Sequence, residues 1–308
     1  MRCCLLVSSV SVVVPTRDRP ERLARCLASV RAALRDGDEL VVVDSASVGR
    51  DEVARVATTY ADRLLRVERP GVDRARNAGW RAARHPLVLF TDDDVVVDPG
   101  WAEAFAAALE RHGDAGFITG RIDAPPGRPL PWREIALKRD LEAQVFDRTS
   151  VTNLGHGASM ATRREVLEAV GGFDEALGAG GHFRAAPEVD LFDRILATGW
   201  LGRYEPSALA FHEQWREMDA IVQLDFGYGI GNGARLAKLA RSDRRRARLV
   251  ARNSLWDWGL VIAVRQWREG ARRLAQASFY RVVGTVLGFA RGIVTPVEAG
   301  HYRPRGER

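Results

Sequence analysis

The stretch PLVLFTDDDVVVDPGW (86–101) joins an apolar run to three consecutive carboxylates. The run PLVLF has the length and composition of a buried strand. Asp92, Asp93 and Asp94 follow directly, so three like charges are predicted where the strand leaves the core. A divalent cation bound through one or two of these carboxylates would remove their repulsion, and oxygen ligands favour Mg²⁺ or Mn²⁺. The alternative is a solvated acidic turn before a helix.

Four further short apolar runs precede and follow this one, and Ala-, Arg- and Leu-rich segments with helical spacing separate them. Continuous valine runs are typical of strands covered on both faces, as in a parallel sheet flanked by helices. We therefore predict an α/β fold with a mostly parallel sheet. The four runs are SVVVP (11–15), ELVVVD (39–44), LLRVE (64–68) and AGFITG (115–120).

The composition is that of a globular protein with a sizeable core. The chain has 308 residues, of which 46% are hydrophobic and 28% charged, and this length predicts one large domain or a domain with an extension. Only Lys138 and Lys238 are lysines, so the net charge of +6 rests on arginine. Because arginine usage also follows genomic base composition, we expect no nucleic-acid partner.

The N-terminal segment and the cysteines indicate the cellular compartment of the protein. Cys3, Cys4 and Cys26 form an odd set with two adjacent members, which favours a reducing compartment over a disulfide framework. The opening MRCCLLVSSVSVVVP predicts a buried first strand rather than a signal peptide, because it lacks a small-x-small cleavage site. We expect a cytoplasmic protein, with peripheral contact at the inner face of the membrane as an additional option.

Polar residues follow the predicted strands, at the edge where open α/β sheets bind ligands. The third connection, RPGVDRARNAGW (69–80), adds Gly71 before a helix that carries Arg74 and Arg76 in its first turns. Free backbone N–H groups and the helix dipole favour an anion there, such as a diphosphate, and a solvated basic face is the alternative. The residues after the first two strands are Thr16, Arg17, Asp18 and Asp44.

A second helix is predicted in the segment AAPEVDLFDRILATGW. Pro187 suits its first position, which places Glu188 in the first turn, near a cavity or the surface. Asp190 and Arg194 are four residues apart and can pair along the helix. Glu188 acts either as a functional carboxylate or only as a complement to the helix dipole.

Six segments in this order resemble the family 2 glycosyltransferases over about residues 10 to 215. They are VVVPTRDRPERL, ELVVVDSAS, GVDRARNAGW, FTDDDVVVDPGW, GHGASMATRREVLEAVGGFDEALG and APEVDLFDRILATGW. The resemblance implies a GT-A fold, which is a Rossmann-like, mostly parallel sheet flanked by helices. It also implies an inverting hexosyltransferase that uses a nucleoside-diphosphate sugar.

The family pattern implies a donor site. The TDDD stretch resembles the DXD metal motif, with Asp92 and Asp94 as the outer pair, and an alternative register makes Asp93 the principal ligand. His212 matches a histidine that approaches the metal or the diphosphate in some GT-A enzymes. The implied cofactor is Mn²⁺ or Mg²⁺. The residues implied to hold the nucleoside and the diphosphate are Pro15, Thr16, Arg17, Asp18, Asp44 and Arg76, with Asp92 and Asp93.

The resemblance also implies the catalytic and acceptor side. Family members usually carry Glu-Asp where this chain has Pro187-Glu188, so Glu188 is the expected general base, one methylene longer than the usual Asp. Asp190 is the reserve candidate. His156 and Gly157 are expected near the acceptor, because glycine permits close backbone approach; a histidine without a role is the alternative.

We expect a catalytic domain over residues 1–220 and a basic, amphipathic helical extension over 221–308. In that extension, FGYGIGNG (226–233) predicts a glycine-rich turn, and six arginines lie between residues 241 and 252. Its helices cover the active site, form a homodimer contact or rest on a membrane surface, and periodicity does not separate these alternatives. The expected partners are a UDP-, GDP- or dTDP-linked sugar and a hydroxyl-bearing polysaccharide, glycolipid or natural product. The alternative functions are a sugar nucleotidyltransferase and a non-catalytic nucleotide-sugar-binding protein.

Overall fold

The structure of the protein is a computed structural model that describes residues 8–127 and 134–303. Cys3, Cys4 and the start of the opening apolar segment lie outside the described residues. Cys26 is buried on the first helix, and burial raises the pKa of its thiol well above the ordinary value.

A nine-stranded sheet forms the centre of the described chain, and the five strands predicted from the sequence are all present in it. Its order is β3-β2-β1-β4-β8-β6-β9-β5, with β7 paired to β9. β3, β2, β1 and β4 run parallel, as do β6 and β9, whereas β8 is antiparallel to both its neighbours. The strands are β1 (Val10–Thr16), β2 (Glu39–Ser45), β3 (Arg63–Val67), β4 (Leu87–Thr91), β5 (Val95–Val97), β6 (Ala115–Asp123), β7 (Gln144–Phe146), β8 (Ser159–Arg163) and β9 (Leu201–His212), with a separate hairpin β10 (Val297–Glu298) and β11 (His301–Tyr302).

Helices cover both faces of this sheet, and a helical region follows it. The helices are α1 (Pro20–Ala33), α2 (Arg50–Tyr60), α3 (Val72–Ala82), α4 (Trp101–Arg111), α5 (Arg164–Val170), α6 (Pro187–Ala197), α7 (Met218–Ser242), α8 (Arg244–Ala251), α9 (Ile262–Arg268) and α10 (Arg272–Val294). A π-helical segment, Arg252–Val261, connects α8 to α9. Across the described ranges, no helix combines the length and the low charge that crossing a bilayer requires.

The valine runs are buried on both faces because alternate residues enter two different cores. In β1, Val12 and Val14 pack with α1 and α4, whereas Val13 packs on the opposite face with α3 and α6. Burying a valine side chain stabilises the fold by roughly 1.5–3 kcal/mol, so both cores hold the sheet. The carboxyl ends of β1, β2 and β4 therefore meet at one fixed edge, where Asp92 follows β4.

The glycine-rich turn predicted at residues 226–233 was wrong, because these residues lie inside the 25-residue helix α7. Their glycines let α7 approach α10 closely. A Cβ on Gly229 would lie 2.2 Å from the carbonyl oxygen of Arg281, and one on Gly233 would lie 2.1 Å from that of Thr285. The reason for glycine here is therefore the close approach of the α7 and α10 backbones, and not the turn that glycine commonly indicates.

Candidate active site

A cavity of about 1180 Å³ opens at the carboxyl ends of β1 and β4. It collects most of the site residues predicted from the sequence, although these are far apart along the chain. The predicted residues that line it are Pro15, Thr16, Arg17, Arg76, Asp92, Asp93, Asp94, His156, Gly157, Glu188 and His212, whereas Asp18, Asp44 and Asp190 are not part of its lining.

Asp93 is the buried member of the acidic triad, and its carboxylate is already engaged. Thr16 Oγ1 donates to Oδ2 at 2.8 Å, and Arg19 Nη1 donates to Oδ1 at 3.0 Å. Burial raises the pKa of Asp93 to about 6, although the Arg19 charge opposes this shift. Asp93 thus joins the first strand-end loop to the end of β4.

Asp92 faces the cavity and is paired with Arg76. Nη2 of Arg76 donates to Asp92 Oδ1 at 2.7 Å, while its Nη1 lies 3.4 Å from Asp73 Oδ1. Burial acts to lower the pKa of Arg76, but Asp92 and Asp73 outweigh it and raise that pKa above its ordinary value. A permanent cation is therefore fixed beside the triad, with a second oxygen of Asp92 left for a ligand.

The backbone at the start of α3 contributes less than the sequence predicted. The N–H of Gly71 donates to Ser45 Oγ at 2.9 Å, and Val72 N donates to the Ala179 carbonyl at 3.0 Å. Arg74 turns away and pairs with Glu175 at 3.1 Å. Because these groups are occupied, Arg76 is the residue of this segment that can meet an anion in the cavity.

Asp94 is held by the segment after β9. Trp215 Nε1 donates to Asp94 Oδ2 at 2.9 Å, and Nε2 of His212 lies 3.5 Å from Oδ1. Burial acts to raise the pKa of Asp94, but His212 and Trp215 outweigh it, so that pKa lies below its ordinary value.

The hydrogen bonds of Gln214 define the tautomer of His212. The Gln214 side chain accepts from Ile135 N and donates to Ile135 O, both at 2.9 Å, which fixes its amide orientation. Its Nε2 also lies 3.0 Å from His212 Nδ1, so Nδ1 accepts and Nε2, which faces Asp94, carries a hydrogen. In this arrangement His212 orients Asp94, and metal ligation through Nε2 would require loss of that hydrogen.

The donor set fits a hard divalent cation only in part. Within the described residues, no group of three or more His, Cys, Asp or Glu side chains is arranged to hold a metal ion by itself. Among the described residues, Asp92 Oδ2 nevertheless has no hydrogen-bond donor, and Asp94 Oδ1 faces Nε2 of His212 at 3.5 Å. Mg²⁺ and Mn²⁺ commonly take one or two carboxylates and complete their shell with phosphate oxygens and water, and these two carboxylates fit that pattern.

The two predicted nucleoside residues outside the cavity lining have structural partners. Asp44 is buried, accepts from Ser47 N at 2.9 Å and pairs with Arg66. Asp18 Oδ1 accepts from the backbone N–H groups of Val48 and Gly49 at 2.6 and 3.1 Å. Both carboxylates thereby shape the loops after β1 and β2, and Pro15, Thr16 and Arg17 form the cavity wall itself.

Glu188 and Arg76 approach each other across Gly157. A Cβ on Gly157 would lie 3.3 Å from the Cβ of Glu188 and 3.4 Å from Nη2 of Arg76. Glu188 stands in the first turn of α6, which begins at Pro187 as the sequence predicted. His156 lies beside them, and burial lowers its pKa below the ordinary value although Glu188 opposes the shift. A carboxylate, an imidazole and a cation therefore lie around Gly157 in the cavity.

Asp190 faces the other side of α6, in a network of buried charges. It pairs with Arg194 at 3.0 Å, the i,i+4 pair predicted from the sequence, and with Lys238 at 2.6 Å. Burial acts to raise the pKa of Asp190, but these two cations outweigh it and lower that pKa. A larger cavity of about 1860 Å³ lies here, yet its buried carboxylates are all paired. The structure thus separates Asp190 from the triad and Glu188.

The C-terminal helices form part of the cavity wall. The cavity lining includes side chains from α7, the π-helical segment, α9 and α10, so the first of the three alternatives for this region has structural support. Arg281 of α10 pairs with Asp225 of α7, which joins two of these helices at the cavity. The side chains in this wall include Asp225, Tyr228, Asn232, Ser254, Trp258, Gln266 and Arg281.

Several residues that organise the site were not singled out from the sequence. Arg19, Arg66 and Trp215 each hold a carboxylate of the site, and Arg216 lines the cavity with its guanidinium 4.5 Å from the Trp215 ring centroid. Arg19 stands one residue after the predicted Asp18, and Trp215 lies three residues after His212. The sequence offered only their nearness to predicted residues as a signal, because the contacts of Arg19, Arg66 and Trp215 with the carboxylates join separate segments of the chain.

Comparison with known sequences matches this chain to glycosyltransferases. The model of glycosyl transferase family 2 matches residues 11–171, just over half of the chain. The pre-mycofactocin glycosyltransferase of Mycobacterium tuberculosis is 28% identical over 296 residues, which cover 89% of this chain and 60% of that protein. An uncharacterized glycosyltransferase of Mycobacterium bovis is 27% identical over 229 residues, covering 74% and 88%. The chain thus spans about 60% of the length of the first of these relatives.

A solved structure shares the fold. The mannosyltransferase PcManGT from Pyrobaculum calidifontis, in complex with GDP-Man and Mn²⁺, superposes with a TM-score of 0.63 at 20% identity, covering 92% of this chain and 87% of that one. The GT-A fold predicted from the sequence is therefore confirmed. With a family match over half its length and the same architecture, this chain belongs to glycosyl transferase family 2.

Proposed function

We propose that this protein is a metal-dependent, inverting hexosyltransferase that moves a sugar from a nucleoside diphosphate to an acceptor hydroxyl. The observation that carries the proposal is the approach of Glu188 and Arg76 across Gly157, in the cavity that also contains Asp92. A base and a diphosphate-binding cation are thereby available to one substrate. An in-line displacement needs these two groups on opposite sides of the anomeric carbon.

The proposed reaction is a single displacement. The acceptor oxygen forms a bond to the anomeric carbon while the bond from that carbon to the diphosphate oxygen breaks, and the leaving nucleoside diphosphate keeps the electron pair. Glu188 takes the proton of the acceptor hydroxyl. Its position in the first turn of a helix anchored at Pro187 fixes the direction of the carboxylate. His156, uncharged beside it, orients the acceptor.

The departing diphosphate gains negative charge, which Arg76 offsets from a fixed position. Arg19 and Arg216 add positive charge at the same cavity wall. A bound Mn²⁺ or Mg²⁺ would neutralise further charge on the leaving group. Asp92 and Asp94 are the proposed ligands, and Asp93 maintains the geometry through Thr16 and Arg19.

The donor is proposed to be a UDP-, GDP- or dTDP-linked sugar, with Pro15, Thr16 and Arg17 against the nucleoside. PcManGT was solved with GDP-Man and Mn²⁺, so GDP-mannose is the first donor to test. The acceptor side is formed by Gly157, His156 and the C-terminal helices. A catalytic domain over 1–220 with an extension over 221–308 remains our division, and α7 begins at Met218, close to that boundary. A cytoplasmic location and a homodimer also remain predictions.

The test is release of nucleoside diphosphate from a panel of UDP-, GDP- and dTDP-sugars in the presence of acceptor extracts. EDTA should abolish release, and Mn²⁺ or Mg²⁺ should restore it. Glu188→Gln should reduce transfer by about 10²–10⁴-fold, the usual contribution of a general base, while calorimetry still detects donor binding. Equal activity in this variant would refute the base, and activity that survives EDTA would refute the metal.

The same experiment separates the alternatives. A sugar nucleotidyltransferase would release pyrophosphate from a nucleoside triphosphate and a sugar phosphate, but the loop PTRDRPERL lacks the glycines that cradle a triphosphate. A non-catalytic protein would bind donors and release nothing. We favour transfer because a binding module has no need of Glu188 beside Arg76.

A further inference from the structure

The exposed apolar side chains of this protein are concentrated in one region. Sixteen large hydrophobic side chains are exposed in the described part of the chain, and thirteen of them lie between Leu249 and Val294. Trp256 and Trp267 are 59% and 64% exposed. A soluble protein rarely leaves so many apolar groups together unless they mark an interaction surface.

The residues of the π-helical segment and α9 share one side of the helix. Trp256, Leu260, Val264 and Trp267 recur at spacings of three and four residues and are all exposed. Gly259 and Ala263 are buried on the other side, where a Cβ on Gly259 would lie 2.5 Å from Val282 of α10. The apolar stripe therefore points away from the protein. The outer face of α10 adds Phe279, Val286, Leu287, Ile293 and Val294.

The same region has a large excess of positive over negative charge. Eleven arginines and three acidic residues lie between Arg241 and Arg281, a difference of eight positive charges, compared with +6 for the whole chain. Arg244, Arg245, Arg248 and Arg268 are exposed, and none has an ion-pair partner among the residues that the structure describes. The guanidinium of Arg272 lies 5.7 Å from the Trp267 ring centroid, so charge and aromatic surface are adjacent.

We propose that this outer face, formed by the π-helical segment, α9 and α10 with the arginines of α8, docks on an anionic phospholipid surface. Tryptophans and aliphatic side chains enter the interface between headgroups and acyl chains, and arginines bind the phosphates. This combination distinguishes a membrane surface from other partners. A second copy of the chain would bring two strongly positive faces together, which like-charge repulsion disfavours.

The docking would place the cavity beside the lipid. Trp258, Ile262 and Gln266 belong to the same helical stretch and line the cavity, so one helix would contact the membrane on one side and the site on the other. The proposal goes beyond the glycosyl transfer proposed above and does not depend on it, because lipid binding is measured without a sugar donor.

The test is co-sedimentation of the full chain with sonicated vesicles, in two compositions. We expect binding to phosphatidylcholine vesicles that contain phosphatidylglycerol, little binding to phosphatidylcholine alone, and loss of binding at high salt. Tryptophan fluorescence should shift to shorter wavelength in the anionic vesicles, since Trp256 and Trp267 leave water.

Two variants test the surface. Trp256→Ser with Trp267→Ser removes apolar contacts without touching Trp258, which lines the cavity. Arg244→Glu with Arg245→Glu should lower the partition coefficient by about 30-fold or more. The matched controls are Val48→Ser with Leu141→Ser, and Arg50→Glu with Arg55→Glu, which change exposed residues far along the chain and should bind vesicles like the unchanged protein. Circular dichroism confirms that every variant is folded.

Absence of binding to anionic vesicles would overturn the proposal, as would equal binding by the two surface variants and the unchanged protein. A dimer in sedimentation velocity that Trp256→Ser with Trp267→Ser dissociates, without vesicle binding, would assign the face to self-association instead.

Discussion

Arg76 Nη2 lies 2.7 Å from Oδ1 of Asp92, which joins the third helix to the strand end of β4. This pair explains how three adjacent carboxylates coexist in the folded protein. Asp93 accepts hydrogen bonds from Thr16 and Arg19. Asp94 accepts one from Trp215, and Asp92 accepts one from Arg76. Each carboxylate has its own partner, so the repulsion predicted from the sequence is reduced before any metal binds.

Arg76→Lys should lower kcat/KM by about 10²–10³-fold, because lysine lacks the planar fork that reaches Asp92 and a diphosphate together. Steady-state release of nucleoside diphosphate measures this effect. Arg74→Lys is the matched control, since Arg74 lies two residues away and pairs with Glu175 outside this cavity. Similar losses in both variants would contradict the role of Arg76.

The three aspartates should respond differently to removal of charge. Asp92→Asn and Asp94→Asn should raise the Mn²⁺ concentration needed for half-maximal activity, because Asp92 and Asp94 are the proposed metal ligands. Asp93→Asn should instead destabilise the fold by about 1–3 kcal/mol, since its buried carboxylate holds Thr16 and Arg19. Metal titrations and thermal unfolding separate the effects, with Asp98→Asn as control. A large metal effect in Asp93→Asn alone would support the alternative register.

The glycines of α7 allow a paired test of helix packing. Gly229→Ala should destabilise the protein, because its Cβ would lie 2.2 Å from the Arg281 carbonyl oxygen. Gly227→Ala, two residues earlier, meets its nearest atom at 3.9 Å and should stabilise the helix by up to about 1 kcal/mol. Denaturant unfolding gives both values, and equal effects would show that α7 does not pack on α10 in this way.

Asp73 makes the stability depend on pH. Burial raises its pKa well above the ordinary 3.8, although Arg76 opposes the shift, and no described group forms a hydrogen bond with Oδ2. The folded state therefore holds a proton that the unfolded chain releases. Its contribution to the free energy of unfolding is complete below about pH 4 and is lost as pH rises through the raised value.

Asp73→Asn should flatten this part of the pH profile, because the amide does not ionise. Urea unfolding from pH 4 upward checks the slope, with the exposed Asp51→Asn as control. Parallel profiles for Asp73→Asn and the unchanged protein would exclude Asp73 as the source.

Much of the fold followed from local pattern. The five apolar runs became strands because their side chains enter two cores, and Pro187 began α6 because proline suits that position. The glycines at 227–233 were misinterpreted for the same reason, since a local rule assigns them to a turn. Close contact with α10 is a long-range fact that the sequence does not express locally.

The sequence by itself determined the positions of five strands along the chain, the position of the acidic triad and the candidates Arg76 and Glu188. Only the tertiary structure decided which carboxylates stay available to a ligand in the cavity. Asp190 and Glu188 lie two residues apart on one helix. Asp190 forms ion pairs with Arg194 and Lys238, whereas Glu188 faces the cavity. The reason is physical: the chemical state of a carboxylate depends on partners that approach it through space, and those partners come from segments far away in the chain.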